Sequence, residues 1–165
     1  MSSGRILVGS HDGVHVLKLT GDVRVTLGAT VDGVLQDVLA SDDLASVLVD
    51  LSETDGIDST SLGLLARLSI EAQRRLGRVP TLISTRPDIT RVLTTMGFDE
   101  DVFEIVEEPL AVAPLLGEQP EIDDEEAAVR ARVLAAHRTL MSLSPDNRER
   151  FRDLVSALEA SGDGG

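Results

Sequence analysis

Val47-Leu48-Val49-Asp50-Leu51-Ser52-Glu53-Thr54-Asp55-Gly56-Ile57-Asp58-Ser59-Thr60-Ser61-Leu62-Gly63-Leu64-Leu65 is the stretch that decides the fold. Val47 to Leu51 is a short β-branched and aliphatic run, the pattern of a strand buried on both faces, and an acidic turn containing Gly56 is expected to end it. A helix follows, because Leu62, Leu65, Leu68 and Leu76 recur near helical spacing. Asp58 or Ser59 can serve as its N-cap by accepting a hydrogen bond from an orphan backbone N–H. Free N–H groups and the positive end of the helix dipole converge there, so a phosphate on Ser59 would be held by the first turn. Phosphorylation would place about −1.5 to −2 charges where a neutral hydroxyl now stands.

Outward from this centre the periodicity switches between 2 and 3.6. Arg5 to Ser10 and Val14 to Thr20 read as strands joined by the turn His11-Asp12-Gly13, since an Asp-Gly dipeptide is a strong hairpin signal. Thr26 to Ala40 carries Leu27, Val31, Val34, Leu35 and Val38 on one helical face and closes at the polar Ser41-Asp42-Asp43. After the Ser59 helix, which ends at Gly77, Val79 to Ser84 reads as a strand. Pro87-Asp88 then opens a helix bearing Ile89, Val92, Leu93 and Met96, and Val102 to Val106 reads as a final strand. The order ββαβαβαβ implies an α/β (α+β) mixed sheet with helices mainly on one face.

At these residues the sequence resembles the STAS-domain anti-sigma factor antagonists of bacteria. The likeness rests on Asp50-Leu51-Ser52 and on Ile57-Asp58-Ser59-Thr60-x-Leu62-Gly63, which is similar to that family's Asp-Ser-Ser/Thr-Gly-Leu-Gly phosphorylation motif, and it extends over residues 5 to 108. Ser61 stands where the family usually has glycine, and Arg24, beside Asp22, stands where many members carry an acid. The resemblance implies that Ser59 is the phosphorylated residue, supported by Asp58, Thr60, Ser61, Asp22, Arg24, Asp50 and Gly63. It implies as partners an anti-sigma factor or serine kinase, with a serine phosphatase, alone or fused to a response regulator, to reset the switch. On residue chemistry alone, a helix beginning Asp-Ser-Thr-Ser is explained by capping. With Asp50, Asp58 and Leu62-Gly63 in register, phosphorylation of Ser59 becomes the stronger reading, ahead of Thr60 and Ser61.

Residues 109 to 126 break the pattern: Pro109, Pro114, Gly117 and Pro120 punctuate a linker, and Glu121 to Glu126 is mostly acidic. Residues 127 to 160 then form a helical hairpin. Val129, Val133, Leu134, Leu140 and Met141 mark one helix, with His137 near the same face as a packed or interface side chain. Ser144-Pro145-Asp146 restarts a second helix bearing Phe151, Leu154, Val155 and Leu158, with serine as N-cap and proline at the first helical position. These apolar faces must cover something, either the domain, whose partner surface would then be partly shielded, or a second copy in a homodimer. Residues 1 to 108 are expected to fold without the tail.

Composition excludes several classes. The net charge of −14 repels nucleic acids and anionic membranes, and the aromatic content of 2% leaves few platforms on which bases could stack. A partner with basic patches fits better. The absence of Cys removes thiolate zinc sites and thiol nucleophiles and suits a reducing cytoplasm. No apolar stretch reaches 18 residues, so direct membrane insertion is not expected, and Met1-Ser2-Ser3-Gly4-Arg5 does not read as a signal peptide. The single Lys, Lys18, lies in a strand without a phosphate-binding loop, and no Cys accompanies His11, His15 or His137, so neither catalysis nor a metal or cofactor site is expected. Arg74-Arg75-x-x-Arg78 sits at a helix C-terminus, where it complements the dipole. The sequence therefore reads as a cytoplasmic, non-enzymatic regulator that binds an anti-sigma factor or kinase when Ser59 is unphosphorylated. The alternatives are an unphosphorylated accessory subunit of a larger assembly such as a transporter, and a small-ligand sensor.

Overall fold

Three right-handed crossovers place the helices of this chain. In a computed structural model that describes residues 3–109 and 114–163, the strand order is β5-β4-β3-β2-β1-β6, formed by β1 (Arg5–His11), β2 (Val14–Val23), β3 (Ser46–Ile57), β4 (Thr81–Ile83), β5 (Glu104–Val106) and β6 (Gly117–Glu118). From β2 to β5 each strand is added on the same side of its predecessor and pairs with it in parallel. Because β-crossover-β units are right-handed, α1 (Gly28–Ala40), α2 (Ser59–Leu76) and α3 (Pro87–Thr95) fall on one face of the sheet. Alternation along β2 agrees: His15, Leu17, Leu19 and Val23 are buried, while Lys18, Thr20 and Asp22 are partly exposed. The core joins Ile6, Leu17, Leu19 and Val49 of the sheet to Val31, Leu35, Leu65, Leu68 and Leu93 of the helices.

The opening hairpin turns on Asp12 (φ 50°) and Gly13 (φ 81°), two successive left-handed residues that match the twist of the flanking antiparallel strands. At the other end of α2, Gly77 takes φ 71° and its N–H bonds to the carbonyl of Gln73, closing the helix.

Four boundaries differ from expectation. The acidic stretch after Leu51 is not a turn: β3 runs on to Ile57 because β2 continues alongside it to Val23, and two register shifts between the strands absorb the extra residues. Asp50 helps at the first shift, its carboxylate accepting from the N–H of Ser52 at 2.9 Å. The helix expected from Thr26 begins as a 3-10 turn over Val25–Leu27 and becomes α-helical at Gly28. The strands expected at 79–84 and 102–106 shorten to β4 and β5, parallel strands of three residues each, with β5 at the edge of the sheet. Within the expected linker, Gly117 and Glu118 pair with Val8 and Leu7 and so add a sixth strand on the free edge of β1. Residues 1, 2 and 110–113, part of the expected leader and linker readings, lie outside the described residues.

The C-terminal part forms α4 (Glu126–Leu143) and α5 (Pro145–Asp163), joined at Ser144, whose hydroxyl accepts from the N–H of Asn147 at 3.1 Å as an N-cap. Leu140 and Phe151 belong to the same apolar cluster as the sheet and α2. Asn147 is fully buried, and its side-chain NH2 donates to the carbonyls of Met96 and Leu140, both at 2.9 Å, while its oxygen accepts from Arg150 at 2.9 Å. Its amide hydrogens are thus both used, which fixes the hairpin to the end of α3.

Candidate functional site

Asp58 joins three elements where β3 becomes α2. One carboxylate oxygen accepts from the N–H of Ser61 at 2.9 Å, the N-cap bond of α2, and the other accepts from the N–H of Val25 at 2.7 Å, where the 3-10 turn begins. Its own N–H donates to the carbonyl of Val23 at 3.0 Å. Of the two N-caps open in the sequence, the structure selects Asp58. Ser59 is therefore the first residue of α2, with Thr60 and Ser61 buried behind it.

The hydroxyl of Ser59 meets an atom 78 residues away: Nε2 of His137, at 2.8 Å. Nδ1 of the same ring lies 2.7 Å from the carbonyl oxygen of Val133, which can only accept, so the proton sits on Nδ1 and the lone pair of Nε2 receives the Ser59 O–H. The ring is 2% exposed and packs edge-on against Phe151, with centroids 5.0 Å apart. One turn along α2, Gly63 lets α4 approach closely. A Cβ there would lie 2.6 Å from the Cβ of Ala136, and nearer still to its carbonyl oxygen. Helix α4 thus rests on the first turns of α2, with a small-residue contact and one polar pair across the interface.

Beside this contact, Arg24 extends from the end of β2 and donates to the carboxylate of Asp22 at 2.5 Å. That bond, reinforced by the charges of Asp22 and Asp58, raises the Arg24 guanidinium above its ordinary pKa against a smaller desolvation effect. Asp22 also closes the space over Gly56, where a Cβ would sit 3.0 Å from its carboxylate. Asp50 does not join the group. It pairs with Lys18 five strand residues before Val23, roughly 16 Å back at about 3.3 Å per residue.

The sequence reads His137 as a packed or interface side chain, without its partner, and gives no place to Arg132 or Ala136. Nothing local marks them, because their meaning depends on a contact across some eighty residues. Arg132 holds the end of the linker: it donates to Asp124 at 2.5 Å, and its Nε lies 3.8 Å from Asp32 on α1. The hydroxyl oxygen of Thr30 accepts a further bond from the N–H of Ile122 at 2.8 Å. The Arg132 hydrogen bond, followed by the N–H of Glu125, holds the Asp124 carboxyl below its ordinary value of 3.8, against the opposing effect of desolvation. A depressed carboxylate contributes stability above its unfolded pKa and loses it as the pH falls through the lower folded value. The linker anchor is therefore expected to be unchanged from neutral pH down to about 5 and to release only below 3.8. An acid titration by NMR checks this, and Asp124→Ala should remove that part of the acid transition.

Among the described residues, no group of three or more His, Asp or Glu side chains is placed to hold a metal ion. No described helix is long and apolar enough to cross a membrane.

Curated relatives named bifunctional protein GlmU, from Mycobacterium bovis and Mycobacterium tuberculosis, are 29% identical over 179 aligned residues covering 95% of this chain. The chain spans about a third of their length, 34%. Among solved structures, an anti-sigma factor antagonist from Mycobacterium paratuberculosis superposes with a TM-score of 0.53 at 25% identity, covering 62% of this chain and 85% of that one. SpoIIAA, an anti-sigma factor antagonist, in its unphosphorylated form gives 0.52 at 14% identity over 64% of this chain and 89% of its own. The phosphorylated form of the Bacillus cell fate determinant SpoIIAA gives 0.52 at 12%, over 64% and 91%, and at these identities SpoIIAA supports the fold alone. The family described as "Mlab, STAS domain" matches residues 6–107, more than half of the chain and the whole sheet-and-helix unit from β1 to β5, so this protein belongs to the STAS domain family.

Proposed function

We propose that this chain is an anti-sigma factor antagonist of the cytoplasm, a non-enzymatic binding protein whose affinity for an anti-sigma factor or serine kinase is set by the phosphorylation state of Ser59. The observation that carries this reading is the position of Ser59 as the first residue of α2, next to the N-cap Asp58, in a STAS domain whose structural neighbours include an antagonist at 25% identity. A phosphate there would face the open N–H groups of the first helical turn. Arg24, paired with Asp22 and within the electrostatic reach of Asp58, is a cation that a phosphate on Ser59 could recruit. A serine phosphatase would reverse the modification, and release of a sigma factor to transcription would be the outcome.

The contact between Ser59 and His137 supports a second reading, in which the hydroxyl is never modified and the protein is an accessory subunit of a larger assembly. Intact mass of the protein from its own cells, before and after phosphatase, separates the two. One phosphate localised to Ser59 supports the switch, and its absence across growth conditions supports the accessory.

We further propose residues 1–108 as the binding unit. Ending the chain at Glu108 removes Leu140 and Phe151 from the core, so the truncated domain is expected to fold cooperatively but with a lower melting temperature than the full chain. A truncated domain without a cooperative transition would assign the tail to the folding unit.

A further inference from the structure

We infer that helix α4 is an intramolecular occupant of the partner-binding face of α2, so that the folded chain is closed and Ser59 becomes available only when the α4–α5 hairpin lifts. The inference deepens the proposed switch and rests on that reading for the identity of the competing partner. The masking of Ser59 itself can be measured without it.

Three observations converge. The Ser59 hydroxyl is spent on His137 at 2.8 Å, and a phosphoryl group on the same oxygen would have to break that contact and push the ring away. In the neutral ring the one N–H is committed to the Val133 carbonyl, so Nε2 offers the Ser59 hydroxyl an acceptor that a phosphate on Ser59 could not use as the hydroxyl does. The helix axes are brought together at Gly63 and Ala136, so a foreign helix cannot slide between them. Occupant and linker are both fixed: Asn147 ties the hairpin to Met96, and the linker residues Asp124 and Ile122 are tied to Arg132 of α4 and Thr30 of α1.

The occupant also shows what the face accepts. It takes a helix with a small side chain opposite Gly63 and a neutral hydrogen-bond acceptor opposite Ser59. A partner protein that presents such a helix competes directly with α4. Phosphate on Ser59 opposes both occupants, because each would have to desolvate it.

The chain has no cysteine, so Ser59→Cys creates a single thiol at the position in question. Its rate of reaction with Ellman's reagent is measured in the full-length protein, alone and combined with Gly63→Ala or with Ala136→Glu. Gly63→Ala adds the Cβ that collides with Ala136 while giving α2 a better helix former, so it opens the interface with α2 intact. Ala136→Glu opens it from the other side and guards against an unforeseen accommodation at Gly63. The expected result is a thiol that reacts about tenfold or more faster in each double variant than in Ser59→Cys alone, with the helical circular dichroism of the domain retained, as an opening equilibrium predicts. Equal rates in all three proteins would overturn the inference. So would a Ser59→Cys thiol that already reacts as fast as in denaturant. Phosphorylation fails separately: a masked thiol in a protein that never carries phosphate refutes the switch and leaves the cover standing.

Discussion

Replacing Asp58 with alanine is expected to lower the unfolding free energy by about 2–5 kcal/mol, from an N-cap contribution of roughly 0.5–2 and a charged hydrogen bond of roughly 1.5–3. The carboxylate serves two N–H groups that have no other acceptor in view: Ser61 in the first turn of α2 and Val25 at the start of the 3-10 turn. Losing it frees both and unlinks the 3-10 turn from α2, while the backbone bond from residue 58 to Val23 remains. Asp58→Asn keeps one acceptor oxygen and should cost less than half as much. Urea unfolding of the three proteins, with m-values compared, measures the effect, and a midpoint unchanged in Asp58→Ala would show that neither bond contributes. If Ser59 is the phosphoacceptor, the same variant should slow its phosphorylation, because the hydroxyl would no longer sit on a fixed first turn.

Local rules were enough for the site's scaffold. Strand Val47 to Leu51, the Asp-Ser-Thr-Ser helix start, the Asp12-Gly13 turn and the glycine stop at Gly77 each follow from a short window in which side-chain chemistry and backbone demand agree. What failed was what depends on a neighbouring strand. Residues 52–56 are polar and contain glycine, which reads as a turn. Parallel pairing with β2 nonetheless holds them extended, because tertiary hydrogen bonding outweighs β-propensity. The same limit hid β6, two residues long and held by β1 alone. It also hid the meaning of His137. A lone histidine on an apolar helix face predicts burial, which is correct at 2% exposure. Nothing within one helix can say that its free nitrogen will meet a particular serine on another. Gly63 carried the complementary signal, since a glycine inside a helix costs about 0.5–1 kcal/mol relative to alanine and implies a close approach, but not to what.

Ser59→Asp is expected to weaken binding to the cognate anti-sigma partner by roughly 30–100-fold, equivalent to about 2–3 kcal/mol, while Ser59→Ala binds without regulation. The carboxylate of the aspartate would have to lose water against the partner's helix, and it carries less charge than a phosphate, so authentic phosphorylation should weaken binding further. Alanine acts in the opposite sense through the tail. It removes the donor to His137 Nε2 and leaves a buried acceptor unpaired, which costs roughly 1–3 kcal/mol in the closed form. The open form does not bear that cost, so the closed population falls and the apparent affinity of Ser59→Ala should exceed that of the wild type. Both variants should keep the fold, because Ser59 lies at the edge of the core and the N-cap is Asp58. Calorimetric titration of the partner into wild type, both variants and the phosphorylated chain decides the matter. Equal affinities for all four would eliminate a switch at Ser59. A loss of binding in Ser59→Asp with Ser59→Ala no tighter than wild type would keep the switch and reject the competition with α4.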